Sequence, residues 1–356
     1  MIRIAIIGLG RVFFCYEEFF KKNKSKKYLV KVVCDSDEAK ALQASESLSC
    51  EMSTNLEEVL NREDIDLVIV LTESGNHYTH SKKVLKSKKH LIVEKPVCFF
   101  PEEVLELQEI AVSNDLQYSV IHQNRFNPSI VALKKAMDSC RFKKLILSSI
   151  SLKWSRFQEY YEDGWHGKWS MDGGVVSQQA IHHIDALQWI CGPIKKLVSK
   201  QNNAVNNLEA EDTSIVLLEF LDGSLGTIEA TTASRVGDIE ASISILGEGG
   251  HAEIGGIALN KIIKWNFSNK NDEDKNIFEE ASEEVSSGYG NSHPRILNEI
   301  LNNLYNGNIN TPVSGIDALE SIKIVQAIYS SEENKTWVDL SNNPISSNLG
   351  NKNGRK

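Results

Sequence analysis

The sequence has no excess of positive charge, no paired-cysteine spacing, no long apolar run and no internal repeat. Of its 356 residues, 39 are Lys or Arg and 48 are Asp or Glu, for a formal net charge of −9. That balance argues against charge-driven binding to nucleic acid or to an anionic membrane surface. The one dense cationic run, "KKNKSKKY" at 21–28, follows an apolar segment and reads as a solvated helix end or loop. The six cysteines, at 15, 34, 50, 98, 140 and 191, show no C-x-x-C and no regular spacing. They read as reduced thiols of a cytoplasmic chain, not as a disulfide framework. No stretch approaches the ~20 apolar residues of a membrane span. The opening "MIRIAIIGLG" is too short and too glycine-terminated for a secretory leader, so no leader is expected.

What is present is a chain long enough for two domains, with 41% hydrophobic residues to build their cores. The first third alternates. Apolar runs at 2–7, 29–35, 65–72, 90–96 and 117–124 read as buried parallel strands. Helical segments are expected up to Lys22 and at 38–48, 55–62, 77–89 and 101–115, the last opening on proline and acids. Repeated β-α units predict a doubly wound parallel sheet. Beyond residue 125 the pattern changes. "SIVLLEFLDGSLGTIEATT" (214–232) predicts a hairpin around Asp222-Gly223. Residues 240–256 predict another hairpin and 257–267 a further strand, with helices at 129–139, 178–191, 294–305 and 316–331. The fold class is therefore α/β, with a second α+β domain built on an open, mostly antiparallel sheet. The end, "SNNPISSNLGNKNGRK", reads as a polar, disordered tail.

Gly8 and Gly10 follow the first strand and precede a helix. The first glycine permits a tight turn, and the second lets backbone approach a pyrophosphate at the helix N-terminus. Asp35 ends the second strand, where it can hold both ribose hydroxyls and repel a 2′-phosphate, which favours NAD over NADP. Ser36 beside it tolerates either. The third fingerprint position is Phe13 instead of Gly or Ala. Lys95, in "EKP" at the end of the fourth strand, lies where open α/β sheets bind ligands. A surface lysine before a proline turn is the alternative.

The combination of G-x-G-R-V (8–12), E-K-P (94–96), "QNRFNP" (123–128) and G-G-x(7)-H-x-x-D (173–185) resembles the Gfo/Idh/MocA oxidoreductase family, from residue 1 to residue 340. The resemblance implies a Rossmann NAD-binding domain over 1–124, a substrate-binding and oligomerisation domain over 125–343, and the tail at 344–356. It implies NAD(P)-dependent chemistry on a sugar or polyol carbon, and a homodimer or homotetramer formed through the C-terminal sheet. Carried onto this chain, it places cofactor contacts at Gly8, Gly10, Arg11, Val12, Asp35, Ser36, Thr72, Ser74, His77, Glu94, Lys95 and Asn124. It places substrate contacts at Lys95, Arg125, Asn127, Trp165, Gln178 and His182. Tyr16 stands where the family usually has a histidine. "YYEDGWHGKWSMDGGVVSQQAIHHIDALQW", "HQNRFNP" and "SSGYGNSH" look closest to the enzymes that oxidise C3 of UDP-N-acetylglucosamine or its uronic acid, on routes to surface polysaccharides. Inositol dehydrogenases of the family carry an aspartate where this chain has Gln178.

On a helix, His182, Asp185 and Trp189 share one face and His183 points elsewhere. The family match selects His182 as catalytic, with Asp185 as its orienter. Adjacent histidines do not easily reach one ion from a helix, so no metal is expected. The expected enzyme is an NAD-dependent nucleotide-sugar dehydrogenase in which His182 takes a proton and Lys95 stabilises the oxyanion, with the reversed roles open. A dehydrogenase of a free polyol and a non-catalytic NAD-binding regulator are the alternatives. His293, in "YGNSHPR", stands as a substrate contact or as the start of a helix.

Overall fold

The computed structural model describes residues 1–351; residues 352–356, the end of the expected tail, lie outside the described residues. The chain divides into two compact units, Met1–His122 with His293–Leu319, and Gln123–Ser292 with the residues from Glu320 onward.

The first unit holds six parallel strands: β1 (Ile2–Ile7), β2 (Tyr28–Cys34), β3 (Glu51–Ser53), β4 (Leu67–Val70), β5 (His90–Val93) and β6 (Tyr118–Val120). Their order is β3-β2-β1-β4-β5-β6, the doubly wound arrangement. Helices α1 (Phe13–Lys22), α2 (Glu38–Leu48), α3 (Leu56–Leu60), α4 (His77–Lys86) and α5 (Pro101–Ser113) connect them. Every side chain of β4 is fully buried, as a strand covered on both faces requires. The short β3 has too few residues for a sequence pattern. The strand expected at 117–124 is shorter: after β6 the chain turns, and Gln123–Phe126 form a 3₁₀ turn.

The second unit contains α6 (Pro128–Asp138), β7 (Leu145–Lys153), α7 (Ile181–Cys191), β8 (Ile194–Asn202), β9 (Thr213–Phe220), β10 (Leu225–Thr231), β11 (Glu240–Gly247), β12 (Gly250–Gly255), β13 (Lys261–Phe267) and α8 (Ile277–Glu280). Next come α9 (His293–Tyr305), which belongs to the first unit, α10 (Gly315–Asn334), which begins in the first unit and continues in the second, and β14 (Val338–Asp339). The eight-stranded sheet runs β13-β12-β11-β7-β10-β9-β8-β14, antiparallel except for β7 beside β10. The hairpin expected at Asp222-Gly223 joins β9 to β10, with Gly223 at φ +85° and the Asp222 carboxylate accepting the Ser224 N–H. The strand expected from residue 257 starts at Lys261, because Gly256 and Leu259 take left-handed conformations in a turn.

Along β9, Ser214, Val216, Leu218 and Phe220 are buried while Ile215 and Leu217 are exposed. Leu225, Leu147 and Leu246 pair across three strands and are also exposed. The open face of this sheet therefore carries an apolar stripe.

The expectation of a disordered tail is corrected for residues up to 351. The Glu333 carboxylate accepts N–H groups of Ser347 and Asn348, Gln326 accepts the Ser346 N–H, and Leu349 is 1% exposed. One carboxylate and one leucine anchor a segment whose composition is otherwise that of a loop.

Candidate active site

In the first unit, β1 runs into Gly8 at φ +83°, where a Cβ would sit 2.6 Å from the backbone at residues 71 and 72. Only glycine lets this turn lie against the end of β4. Gly10 differs: a Cβ there would meet no protein atom within 4 Å. Space beside Gly10 opens at the start of α1, whose first turn has no side-chain cap at Val12. The Phe13 and Cys15 N–H groups bond back to the Gly10 and Val12 carbonyls, and the positive end of the helix dipole beside an open backbone suits a phosphate. Phe13 is the first residue of α1 and is buried. Asp35 is half-buried; its Oδ2 accepts the Leu9 N–H at 2.7 Å and its Oδ1 the Asp37 N–H at 2.9 Å. The carboxylate is thus locked beside the glycine turn, with Ser36 exposed next to it and Arg11 exposed on the turn. These residues fit an adenosine dinucleotide.

After β4, Thr72 is tied to His80 through its hydroxyl at 2.9 Å. Ser74 is buried in the following 3₁₀ turn. His77 is 1% exposed, with Nδ1 2.7 Å from the Pro96 carbonyl and Nε2 2.8 Å from the Thr72 carbonyl. Both nitrogens of this expected cofactor residue face backbone carbonyls, and the neutral ring, with its single N–H, donates to one of them, between the segment after β4 and the one after β5. Burial pushes its imidazole below the ordinary value, against the pull of the two carbonyls.

Beyond β5, Glu94 is buried and Lys95 half-buried, and a cis peptide joins Lys95 to Pro96. Glu94 Oε2 accepts the Lys95 N–H at 3.2 Å. Its Oε1 accepts the Tyr16 hydroxyl at 2.7 Å and lies 3.4 Å from His293 Nε2. Burial alone would raise this carboxyl; His293, Tyr16 and the Lys95 charge outweigh it and hold Glu94 below its ordinary value. Tyr16, which takes the place of the family's usual histidine, therefore does have a polar partner. His293, at the start of α9, belongs to this first-unit cluster. No short-range pattern links the three residues.

In the second unit, Asn124 is buried in the 3₁₀ turn. Arg125, expected on substrate, forms a buried bidentate pair with Asp185: Nε to Oδ2 at 2.8 Å and Nη2 to Oδ1 at 2.7 Å. The same guanidinium lies 5.3 Å over the Trp189 ring. Asp185 and Trp189 do share a face of α7, and both carboxylate oxygens expected to orient His182 accept from Arg125. Asn127 is likewise occupied: its Nδ2 donates to the Ala258 carbonyl at 2.8 Å and its Oδ1 accepts the Ser292 hydroxyl at 2.7 Å. Trp165 stacks on His166 at 3.6 Å between ring centres, and His166 Nδ1 lies 2.6 Å from Asp163.

The helix expected to start at 178 starts at Ile181, after a π-helical turn, Val176–Ala180. Such turns recur at functional sites. Gln178 sits within this turn and His182 one residue into α7, both buried. His183 is 0% exposed, edge-on to Trp154, and burial pushes its imidazole down to about 4. The neighbouring histidines are thus separated: His183 is a neutral core group. Among the described residues, no group of three or more His, Cys, Asp or Glu side chains is placed to hold a metal ion. No helix among them is long and apolar enough to cross a membrane.

Residues 2–122 match the family model described as the NAD-binding Rossmann fold of the Gfo/Idh/MocA oxidoreductases, and residues 134–340 match their C-terminal α/β domain. Among solved structures, the WlbA dehydrogenase from Chromobacterium violaceum, in complex with NADH and UDP-GlcNAcA, is 31% identical with a TM-score of 0.88, covering 95% of each chain. The WlbA dehydrogenase from Bordetella pertussis, with the same two ligands, is 28% identical with a TM-score of 0.90, covering 95% of this chain and 97% of that one. Among curated relatives, the scyllo-inositol 2-dehydrogenase (NAD(+)) of Bacillus subtilis is 27% identical over 68% of this chain and 71% of its own length. The first two curated relatives are matched over only 58% and 47% of their lengths.

Proposed function

The chain belongs to the Gfo/Idh/MocA oxidoreductase family, and from that premise we propose that it is an NAD-dependent dehydrogenase oxidising a ring hydroxyl, at C3, of a UDP-N-acetylhexosamine-type nucleotide sugar. The observation that carries this reading is the end-to-end similarity to an enzyme crystallised with NADH and UDP-GlcNAcA. A route to surface polysaccharide sugars follows from that substrate class. Self-association through the apolar stripe of the second unit's sheet is part of the same proposal.

Bound nicotinamide supplies the acceptor for the hydrogen and electron pair leaving the sugar carbon. The protein supplies the rest. The glycine turn and the start of α1 receive the pyrophosphate, and Asp35 holds the ribose hydroxyls. His182 takes the hydroxyl proton on its imidazole, and the Lys95 ammonium stabilises the charge developing on the oxygen. Glu94 fixes the Lys95 backbone through the N–H it accepts. Gln178, a neutral amide, hydrogen-bonds the sugar and cannot take its proton.

A melting-temperature screen with NAD, NADP, UDP-sugars and free polyols tests the reading. A ligand at 100 times its Kd stabilises by about 2.7 kcal/mol. The expected result is stabilisation by NAD and further stabilisation by a UDP-sugar. A response to inositol and none to UDP-sugars would move the substrate to free polyols, in line with the Bacillus subtilis relative.

A further inference from the structure

The backbone entering the π-helical turn poses a hydrogen-bonding problem. The first N–H groups of a helical segment have no partner within it, and Val175, just before the turn, offers no side-chain acceptor. Four consecutive N–H groups, at 174, 175, 176 and 177, must be satisfied in a buried site.

Two remote residues satisfy all four. The Tyr329 hydroxyl oxygen, from α10, accepts the Gly174 N–H at 3.1 Å and the Ser177 N–H at 3.2 Å. The Glu211 carbonyl accepts the Val175 N–H at 3.0 Å, and Glu211 Oε1 accepts the Val176 N–H at 2.9 Å. The Tyr329 O–H donates to the same Oε1 at 3.0 Å, which fixes the pair to one another. Tyr329 is 1% exposed and Glu211 3%.

The two glycines of the motif are the counterpart of this pair. A Cβ on Gly174 would sit 2.0 Å from the Glu211 carbonyl oxygen and 2.4 Å from its Oε2. Gly173 has φ +74°, and a Cβ there would lie 2.9 Å from Leu349 and 3.1 Å from the Tyr329 hydroxyl. These glycines make room for the protein's own cap.

We propose that Glu211 and Tyr329 are positioning residues: their cap sets the start of the π-helical turn and thereby the placement of Gln178 and His182. The effect on catalysis rests on the functional reading above; the cap itself does not.

The test uses the full chain. Hydrogen exchange of the cofactor-free wild-type protein comes first: slow exchange at residues 174–177 is expected, and fast exchange there overturns the cap. Tyr329→Phe removes the one oxygen that accepts two N–H bonds, and the O–H donor with it, while keeping the ring. It is expected to accelerate exchange at 174–177 while the later amides of α7 stay protected. It is also expected to lower kcat on the sugar by about tenfold or more, as misplaced catalytic groups do, with the KM for NAD unchanged. Glu211→Gln keeps the carbonyl and Oε1 acceptors and is expected to hold protection and kcat near wild type. Wild-type exchange at 174–177 in Tyr329→Phe overturns the cap. Accelerated exchange with unchanged kcat overturns the positioning role. If the wild-type protein turns over no UDP-sugar, the functional reading fails, while the exchange results still decide the cap.

Discussion

Replacing Glu211 with glutamine is expected to change how the stability of the second unit depends on pH. The Glu211 carboxyl is buried, and its Oε2 has no hydrogen-bond partner among the described residues. Burial, with Asp212 adding to it, outweighs the Val176 N–H and Tyr329 and pushes the group up from 4.5 to about 7. The folded protein therefore keeps a proton on Glu211 over a range in which the unfolded chain has lost it. Its stabilising contribution is fully present below 4.5 and is lost as the pH rises through about 7. The gap corresponds to about 3 kcal/mol in full, and to about 2 to 3 kcal/mol between pH 5 and pH 8. His183 acts in the opposite sense. Burial lowers it from 6.5 to about 4, so its contribution is present above 6.5 and is lost as the pH falls toward 4. In the wild-type protein the two offset one another. Glu211→Gln removes one arm and leaves the other. All six tryptophans, at 154, 165, 169, 189, 265 and 337, lie in the second unit, so urea unfolding followed by their fluorescence reports on that unit. The wild-type advantage over Glu211→Gln is expected to shrink by about 2 to 3 kcal/mol from pH 5 to pH 8. A difference that stays constant, or grows, would mean that Glu211 does not hold its proton in the folded protein, since every group shared by the two proteins cancels.

Other perturbations follow from the same contacts. Asp185→Asn leaves the Arg125 guanidinium buried without its counter-charge and is expected to cost about 3 kcal/mol or more in the same urea assay; a cost below 1 kcal/mol would mean the pair is not buried as described. Tyr16→Phe deprives Glu94 of one donor and is expected to lower stability by about 1 to 2 kcal/mol, read by calorimetry. Asp35→Ala removes the acceptor of two backbone N–H groups and the proposed ribose partner, and NAD binding is expected to weaken by about tenfold or more in an NADH fluorescence titration. Unchanged affinity would take Asp35 out of the cofactor site.

Some of this architecture was legible in the sequence. The apolar runs of β1, β4 and β5 announce strands covered on both faces, and Asp222-Gly223 marks its hairpin through turn chemistry. These signals are local. The contacts that no local pattern shows are those between distant partners. Glu211 and Tyr329 meet across 118 positions, and Arg125 meets Asp185 across 60. Helical spacing put Asp185 one turn from His182; that the same carboxylate also accepts a bidentate guanidinium from Arg125 is what spacing cannot reveal. The glycine pair at 173–174 was visible as a motif without its reason, because the crowding that forbids a Cβ comes from Glu211 and Leu349. His293 was ambiguous for the same cause: its neighbours Tyr16 and Glu94 are far away in the chain. β7, "LILSSISLK", and β8 were not anticipated, since serine and lysine dilute their apolar alternation.

NAD-dependent oxidation of a nucleotide sugar by Lys95 and His182 stands or falls on one assay. NADH formation is measured with wild-type, Lys95→Ala and His182→Asn proteins, on UDP-GlcNAc, UDP-GlcNAcA and free polyols, after NAD binding has been checked for each. Turnover of a UDP-sugar by the wild-type protein is expected, with a fall of about 10² to 10⁴ in each variant with NAD still bound. Near-normal turnover in either variant, or turnover of polyols alone, would contradict it.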